Sequence, residues 1–372
     1  MRTPVRVGII GANPERGWAA AAHVPALHAL PDYALTAVGT RRPDSAREAA
    51  RRFGAEHAFT DPHALAAHPD VDLVVVTVKV PHHAELIDAA LDAGKHVLAE
   101  WPLALTTAEA ENLTEKARAA GVRTAIGLQA RHSPAVRHAR GLITDGYLGE
   151  ITSATLYAAI ARGAGGTIPA EAAYTFDRAN GAGLLEVTGG HSLDVLNFLA
   201  GDLTALSAIL GPPGPNLTIA ETDELVRPTS PAQVLVSATL TNNAVASIHL
   251  ANGKASNSRT RLEFSGTEGD LAVVTDAHDL RAAQIQIGEP RLLGARLGES
   301  DWQELRTPAP SAEQSAQNVR LLYEAFAHDL HTGGQTVADF AHAVKLHRLL
   351  DTIREAAADG TRHTVTGYDR AA

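Results

Sequence analysis

The chemistry this chain can offer is concentrated in a few short stretches. The turn Gly11-Ala12-Asn13-Pro14-Glu15-Arg16-Gly17-Trp18 stands between a β-branched run, Val5–Ile10, and helically spaced apolar residues over 18–30. A turn so placed offers helix-start amides to a phosphate. Asn13 stands where a second glycine of a dinucleotide-binding turn would be, and asparagine tolerates positive φ better than most residues. A plain glycine turn is the alternative. Gly39-Thr40-Arg41-Arg42-Pro43 ends the next apolar run without a carboxylate. Two guanidiniums and a hydroxyl suit a 2′-phosphate, where an acid would hold a ribose diol. NADP is therefore favoured over NAD, unless Arg41 and Arg42 are solvated turn residues.

Lys79 follows the apolar run 73–78, and Glu100-Trp101-Pro102 follows the run 97–99. Both ends lie where open parallel sheets bind ligands. If its head group reaches a buried pocket, Lys79 can exchange a proton; as a solvated or phosphate-facing lysine it does not. His191 follows Gly189-Gly190 and opens an apolar helical run with Asp194 one turn on. A neutral imidazole there can pass a proton to or from a carbonyl or alcohol, although a structural role is the alternative for any one of 18 histidines. Tyr174, before Gly181-Ala182-Gly183, is a further acid candidate, with packing as its other reading.

Other chemistries lose ground. His82 and His83 adjoin and do not easily face one ion together, and His191 with Asp194 lacks an obvious third ligand, so no metal is expected. No nucleophile-elbow serine is present. The absence of cysteine excludes disulfide and thiolate chemistry. A formal charge of -10, from 42 acidic and 32 basic residues with no long basic block, argues against direct nucleic-acid binding. Nothing at Met1-Arg2-Thr3-Pro4 resembles an export signal, and no apolar run reaches the roughly 18 residues of a membrane helix, so a cytoplasmic protein is expected.

The elements that must position these groups alternate in the first third. Strands are expected at 5–10, 35–39, 73–78, 97–99 and 124–128, separated by helices. Capping boxes are read at Ser45-Ala46-Arg47-Glu48 and Thr106-Thr107-Ala108-Glu109, and a further helix start at Asp61-Pro62. Five such strands imply a doubly wound parallel sheet, an α/β Rossmann domain over residues 1–130. From residue 131 the pattern changes to strands at 151–160, 203–210, 233–240, 244–250, 259–264, 270–274 and 283–287. Their alternation suits an α+β domain over 131–372 with an open, mainly antiparallel sheet, one face on helices. Self-association through the other face, as a homodimer or homotetramer, is expected. The proline-rich stretch 211–231 reads as a surface excursion.

The run Ala93-Gly94-Lys95-His96-Val97, followed by Glu100-Trp101-Pro102, resembles the Gfo/Idh/MocA family of nicotinamide-dependent oxidoreductases, whose A-G-K-H-V run precedes a glutamate-lysine-proline triplet. The likeness extends to the strand before His83 and Glu85, to Gly127-Leu128-Gln129-Ala130-Arg131, to Gly146-Tyr147-Leu148-Gly149-Glu150-Ile151, to Gly190-His191-Ser192-Leu193-Asp194 and to a closing helix at 339–357. It implies a dinucleotide, NADP or NAD, held by Gly11, Asn13, Gly17, Trp18, Thr40, Arg41, Arg42, Val78, His83, Glu100, Trp101 and Gln129. It also implies a small polar, sugar-like carbonyl, alcohol or imine substrate with His191 managing the proton; Arg131 and Asp194, with Tyr174, are expected to orient the substrate, and Lys79 to aid His191.

Two departures stand out. The triplet lysine, the family's usual proton carrier, is Trp101, and an indole has no proton to exchange near neutral pH. The aspartate usual four residues before the site histidine is Val187, with Glu186 beside it. Together with Gly17-Trp18 and Gln129-Ala130-Arg131-His132-Ser133-Pro134, these features are more similar to the branch that includes the fungal galactose-regulon repressor. That branch makes a nucleotide-binding regulator or sensor without turnover the second reading. Transient cofactor oxidation during elimination or glycoside cleavage is a third.

Overall fold

The computed structural model describes residues 3–277, 282–307 and 314–366, so Met1 and Arg2 of the stretch considered above lie outside it. The chain forms two compact units, 1–129 with 310–344, and 130–309 with 345–372. The segment 310–344, assigned from sequence to the second domain, thus groups with the first.

In the first unit β1 (Val5–Ile10), β2 (Tyr33–Gly39), β3 (His57–Phe59), β4 (Leu73–Val76), β5 (His96–Glu100) and β6 (Thr124–Gly127) form one sheet. Its order is β3-β2-β1-β4-β5-β6, parallel at every pairing. All four residues of β4 are fully buried, the outcome for a central strand covered on both faces. Parallel pairing brings the C-terminal ends of β1, β4 and β5 to one edge, and with them the turn at Gly11, Lys79 and Glu100. The helix Gln314–Thr332 belongs here because its stripe of Val319, Leu322 and Phe326 joins the core of Val24, Leu27 and Tyr33.

The helix starts at Asp61 and Thr106 form as expected. Asp61 accepts from the His63 amide, and both halves of the Thr106/Glu109 capping box are made. The box at Ser45 does not form. The helix Pro43–Phe53 starts three residues earlier, with Arg42 as its N-cap, because Pro43 presets φ for a first turn and needs no amide partner, and Glu48 pairs with Arg51. The sixth strand, β3, escaped the sequence reading because three residues are too few to establish a period.

The second unit carries a nine-stranded sheet. Its spatial order is Gln303–Leu305, Arg291–Arg296, Gly269–Ala277, Ser258–Gly266, Ile151–Ala159, Val245–Ala251, Gln233–Leu240, Leu203–Leu210 and His363–Thr364. Every pairing is antiparallel except Ile151–Ala159 with Val245–Ala251. Residues 283–287 are not a strand: Ala283 O accepts from the hydroxyls of Thr260 and Thr275, and the amides of Ile287 and Gly288 turn back to Gln284 O. Their apolar alternation reflects burial under the sheet rather than pairing. Within 211–231 the short strands Leu217–Ile219 and Leu225–Val226 join Thr167–Ile168 in a small sheet. Among the described residues no helix is long and apolar enough to cross a membrane.

Candidate functional site

At the edge of the first unit's sheet, Gly11 adopts φ +97°, and a Cβ there would lie 2.8 Å from Val78 Cγ1 and 2.9 Å from Thr77 Oγ1. Thr77 draws that strand end in, its amide and hydroxyl each donating to Ile10 O at 3.0 Å. The closeness leaves backbone where a pyrophosphate approaches. Gly17 also has φ +97°, whereas Asn13 does not have positive φ. Asn13 shapes the turn through its side chain instead: Oδ1 accepts from the amides of Glu15 at 2.9 Å and Arg16 at 3.2 Å. Trp18 precedes a tight π-helical turn, Ala19–His23, and its indole Nε1 is shielded with no hydrogen-bond partner among the described residues. A buried indole N–H without an acceptor is costly, and a phosphate or ribose oxygen at this turn would satisfy it.

Past β2, Thr40 Oγ1 donates to Arg42 O at 3.1 Å, and both Arg41 and Arg42 are exposed. Neither pairs with a carboxylate among the described residues. Lys79 is exposed rather than buried, so the burial on which its proton-exchanging role depended is absent. His83 is fully enclosed; burial pushes its pKa down, and Nε2 lies 3.0 Å from Val78 O. The neutral ring therefore donates to that carbonyl and pins the loop bearing Val78, instead of presenting a nitrogen to solvent.

Around Glu100 the chain builds a group of side chains that sequence reading missed. Glu100 Oε1 lies 2.9 Å from His23 Nε2, and His23 Nδ1 lies 2.8 Å from the Tyr323 hydroxyl. His23 and Tyr323 are 0% exposed. Burial drives the Tyr323 phenol well above its ordinary pKa, so it keeps its proton and donates to Nδ1. His23 is thereby the Nε2–H tautomer, donating to the carboxylate. Tyr33 O–H in turn donates to Tyr323 O at 2.8 Å. Gly127 completes the fit, because a Cβ on it would stand 2.6 Å from Glu100 Oε1. Trp101, joined to Pro102 by a cis peptide, is buried beside it, and Gln129 is 2% exposed with Oε1 unpartnered among the described residues.

In the second unit the helix Gly190–Ala200 carries His191 and Asp194 on successive turns, 4% and 1% exposed. Arg131 grips Asp194 bidentately, Nε to Oδ2 at 2.6 Å and Nη2 to Oδ1 at 2.7 Å, and its guanidinium lies over the Phe198 ring. The two groups expected to orient substrate thus bind each other and fix the helix beside His191. Glu186, next to the substituted Val187, accepts from Arg354 at 2.7 Å. Tyr174 lies in a 3₁₀ segment, Ala170–Phe176, its pKa raised by burial and partly offset by Arg162.

Against the expectation of no metal, the described residues hold one cluster of metal-ligating groups. His57, His68 and Asp70 bring their ligand atoms within 4.8 Å of one another. Arg6 already holds Asp70 Oδ1 at 2.9 Å, and His68 Nδ1 accepts from the Asp70 amide. That hydrogen bonding accounts for the arrangement.

The fold and geometry agree with comparisons to known proteins. Residues 5–128 match the oxidoreductase family with an NAD-binding Rossmann fold, and residues 134–275 match the Gal80p C-terminal domain. Dehydrogenase aclE of Aspergillus oryzae is 36% identical over 60% of this chain and 62% of its own length. The galactose/lactose metabolism regulatory protein GAL80 of Saccharomyces cerevisiae is 28% identical over 74% of this chain and 67% of its own. The chain thus spans less than two thirds of the first of these relatives. A levoglucosan dehydrogenase in complex with NADH has the same fold, with a TM-score of 0.81 over 98% of this chain and 100% of that one at 23% identity. The chain joins a Gfo/Idh/MocA N-terminal domain to a C-terminal domain of the Gal80p type.

Proposed function

We propose that this protein is a nicotinamide-dependent oxidoreductase of small polar carbonyl, alcohol or imine substrates, with NADP preferred. The observation that carries the reading is the Gly11 turn, held at φ +97° against Val78 and Thr77 so that bare backbone faces an incoming pyrophosphate, with the Trp18 indole N–H of the same turn shielded and without an acceptor among the described residues. Arg41 and Arg42 supply donors for a 2′-phosphate at the end of β2, beside a Thr40 hydroxyl that braces the turn by donating to Arg42 O. The nicotinamide, when bound, supplies hydride transfer. The protein's part is position and proton handling. Glu100 is oriented by His23 and Tyr323, Val78 is pinned by His83, and the imidazole of His191, steadied by the Arg131–Asp194 pair on its own helix, exchanges a proton with the substrate oxygen or nitrogen. Self-association through the uncovered face of the nine-stranded sheet, where Ile209 and Val245 stand out, belongs to the same reading. Titration with NADPH and NADH, followed by a turnover screen over aldoses, polyols and imines, tests it. Tighter NADPH binding with turnover abolished in His191→Ala is expected; cofactor binding without turnover on any substrate refutes the catalytic part.

The second reading, a nucleotide-bound regulator without turnover, is favoured by one specific observation. Trp101 is buried where the proton-carrying lysine would be, and Lys79 is too exposed to replace it. A partner protein captured only in the presence of NADP, by a preparation with no turnover, would establish this reading instead.

A further inference from the structure

In the second unit, the parallel strands Ile151–Ala159 and Val245–Ala251 end side by side, and the chain beyond each is tied to the other. Ile160 N donates to Ala251 O and Gly253 N to Arg162 O, both at 2.9 Å, and Lys254 N donates to Ile160 O at 3.1 Å. Arg162 is therefore planted at the C-terminal edge of the parallel pair, where open sheets leave a crevice for ligands. Its side chain is half-buried. Nη1 is shielded from solvent without a hydrogen-bond partner, and no carboxylate among the described residues pairs with the charge. The titratable neighbour is the Tyr174 phenol, which burial keeps protonated, so it does not neutralise the cation. Asn252 Oδ1, one residue from the Gly253 tie, and Ser230 Oγ are likewise shielded and unpartnered. Asn252 N donates to Ala232 O at 2.9 Å, which brings these two segments together.

A guanidinium drawn partly out of water, with one nitrogen shielded and unpaired and no counter-charge, carries a desolvation cost that a bound anion would offset. Arginine presents a rigid fork that matches planar carboxylates and phosphates. We propose that Arg162 receives an oxyanion, a carboxylate or phosphate borne by the substrate, beside the Tyr174 hydroxyl. A neutral sugar's hydroxyls would leave the charge unpaired, so this residue selects acidic substrates. The word substrate rests on the oxidoreductase reading; the anion site does not.

The test is calorimetric titration of the full chain with inorganic phosphate, with malonate and with neutral glucose at constant ionic strength, in the native protein, Arg162→Gln and Arg162→Lys. Phosphate or malonate is expected to bind, with affinity at least about 30-fold weaker in Arg162→Gln and an intermediate loss in Arg162→Lys, which keeps the charge but not the fork. The stronger of the two anions names the group. If Arg162→Gln does not fold, the lysine variant carries the comparison. Binding of neither anion, binding unchanged in the variants, or glucose bound as tightly as the anions overturns the proposal. Anion binding lost in Arg162→Gln, in a protein with no turnover, sinks the oxidoreductase reading and leaves the site.

Discussion

Tyr323→Phe is the sharpest probe of the buried group behind Glu100. The substitution keeps the ring, so the core of Val319, Leu322 and Phe326 loses no volume, and the edge contact with Tyr33 at 5.1 Å between centroids remains. The Tyr33 hydroxyl also keeps its bond, because its acceptor is the Tyr323 carbonyl. What disappears is one donor, 2.8 Å from His23 Nδ1. With His23 0% exposed, no water replaces it, and a buried nitrogen left unpaired costs about 1–3 kcal/mol. A second effect follows, because His23 no longer has a fixed tautomer and can turn an acceptor nitrogen toward Glu100. The assay is urea unfolding followed by tryptophan fluorescence, with NADPH affinity measured in parallel. Trp18 and Trp101 report on the first unit and Trp302 on the second, so the two need not unfold together. Tyr323→Phe is expected to destabilise the first unit by about 2 kcal/mol and to weaken NADPH binding by roughly fivefold. Tyr33→Phe, which also loses a buried hydroxyl bond, should leave NADPH affinity unchanged. A cost under about 0.5 kcal/mol, or equal loss of affinity in both variants, refutes the reasoning.

Other variants test separate links. Gly11→Ala combines a strained φ with backbone and side-chain overlap at Thr77 and Val78, and should remove detectable NADPH binding while circular dichroism stays native. Replacing Arg41 and Arg42 together by serine should weaken NADPH at least about tenfold and leave NADH within about twofold, as two charge-assisted contacts are lost to one cofactor only. If the protein self-associates through this sheet face as proposed, lysine at both Ile209 and Leu235, 63% and 44% exposed, should yield a monomer in light scattering where the native chain gives a larger mass; an unchanged larger mass places the interface elsewhere, and a monomeric native chain refutes the self-association. Buried His347 is pushed down to about 4 from its ordinary 6.5 by burial. Between those values the unfolded chain binds a proton that the fold does not. Its contribution is therefore complete above pH 6.5 and lost as pH falls toward 4, by about 3 kcal/mol in total. His347→Gln should flatten acid unfolding of the second unit in that window.

The parts legible in the sequence are those set by local pattern. Continuous apolar runs located β1 and β4, and Asp61-Pro62 and the Thr106/Glu109 box located helix starts, because each signal lies within a few residues of what it specifies. Local rules failed where two of them competed, as at Pro43 against Ser45, or where burial imitated a strand, as at 283–287. Asn13 does not take the positive φ that its place in the turn suggested; its side-chain oxygen, not its backbone, shapes the turn. The group of His23, Glu100 and Tyr323 was invisible for a different reason: its members are 77 and 300 residues apart. A weak signal existed in two polar residues on otherwise apolar helical stripes, His23 between Ala22 and Ala26, and Tyr323 between Val319 and Phe326.

The same distance dependence bears on the central substitution. Trp101 was visible at once because the triplet is contiguous, and taken alone it argues that the chemistry has been abandoned. The surroundings argue otherwise for the neighbouring residue. A carboxylate with no task would not need an enclosed histidine, a tyrosine kept protonated by burial, and a glycine at 127 that leaves room for its oxygens. Each of these is a constraint that a packed aliphatic core would satisfy at lower cost, since buried polar groups repay their desolvation only when fully paired. On the proposed reading Glu100 is held for a ligand even though a tryptophan stands beside it in place of the lysine. Trp101→Lys separates the two consequences. If hydride transfer to ordinary sugar alcohols appears while NADPH affinity is unchanged, the indole withholds only the proton, and the held carboxylate serves the cofactor. If affinity falls as well, the indole is itself part of the nucleotide's seat.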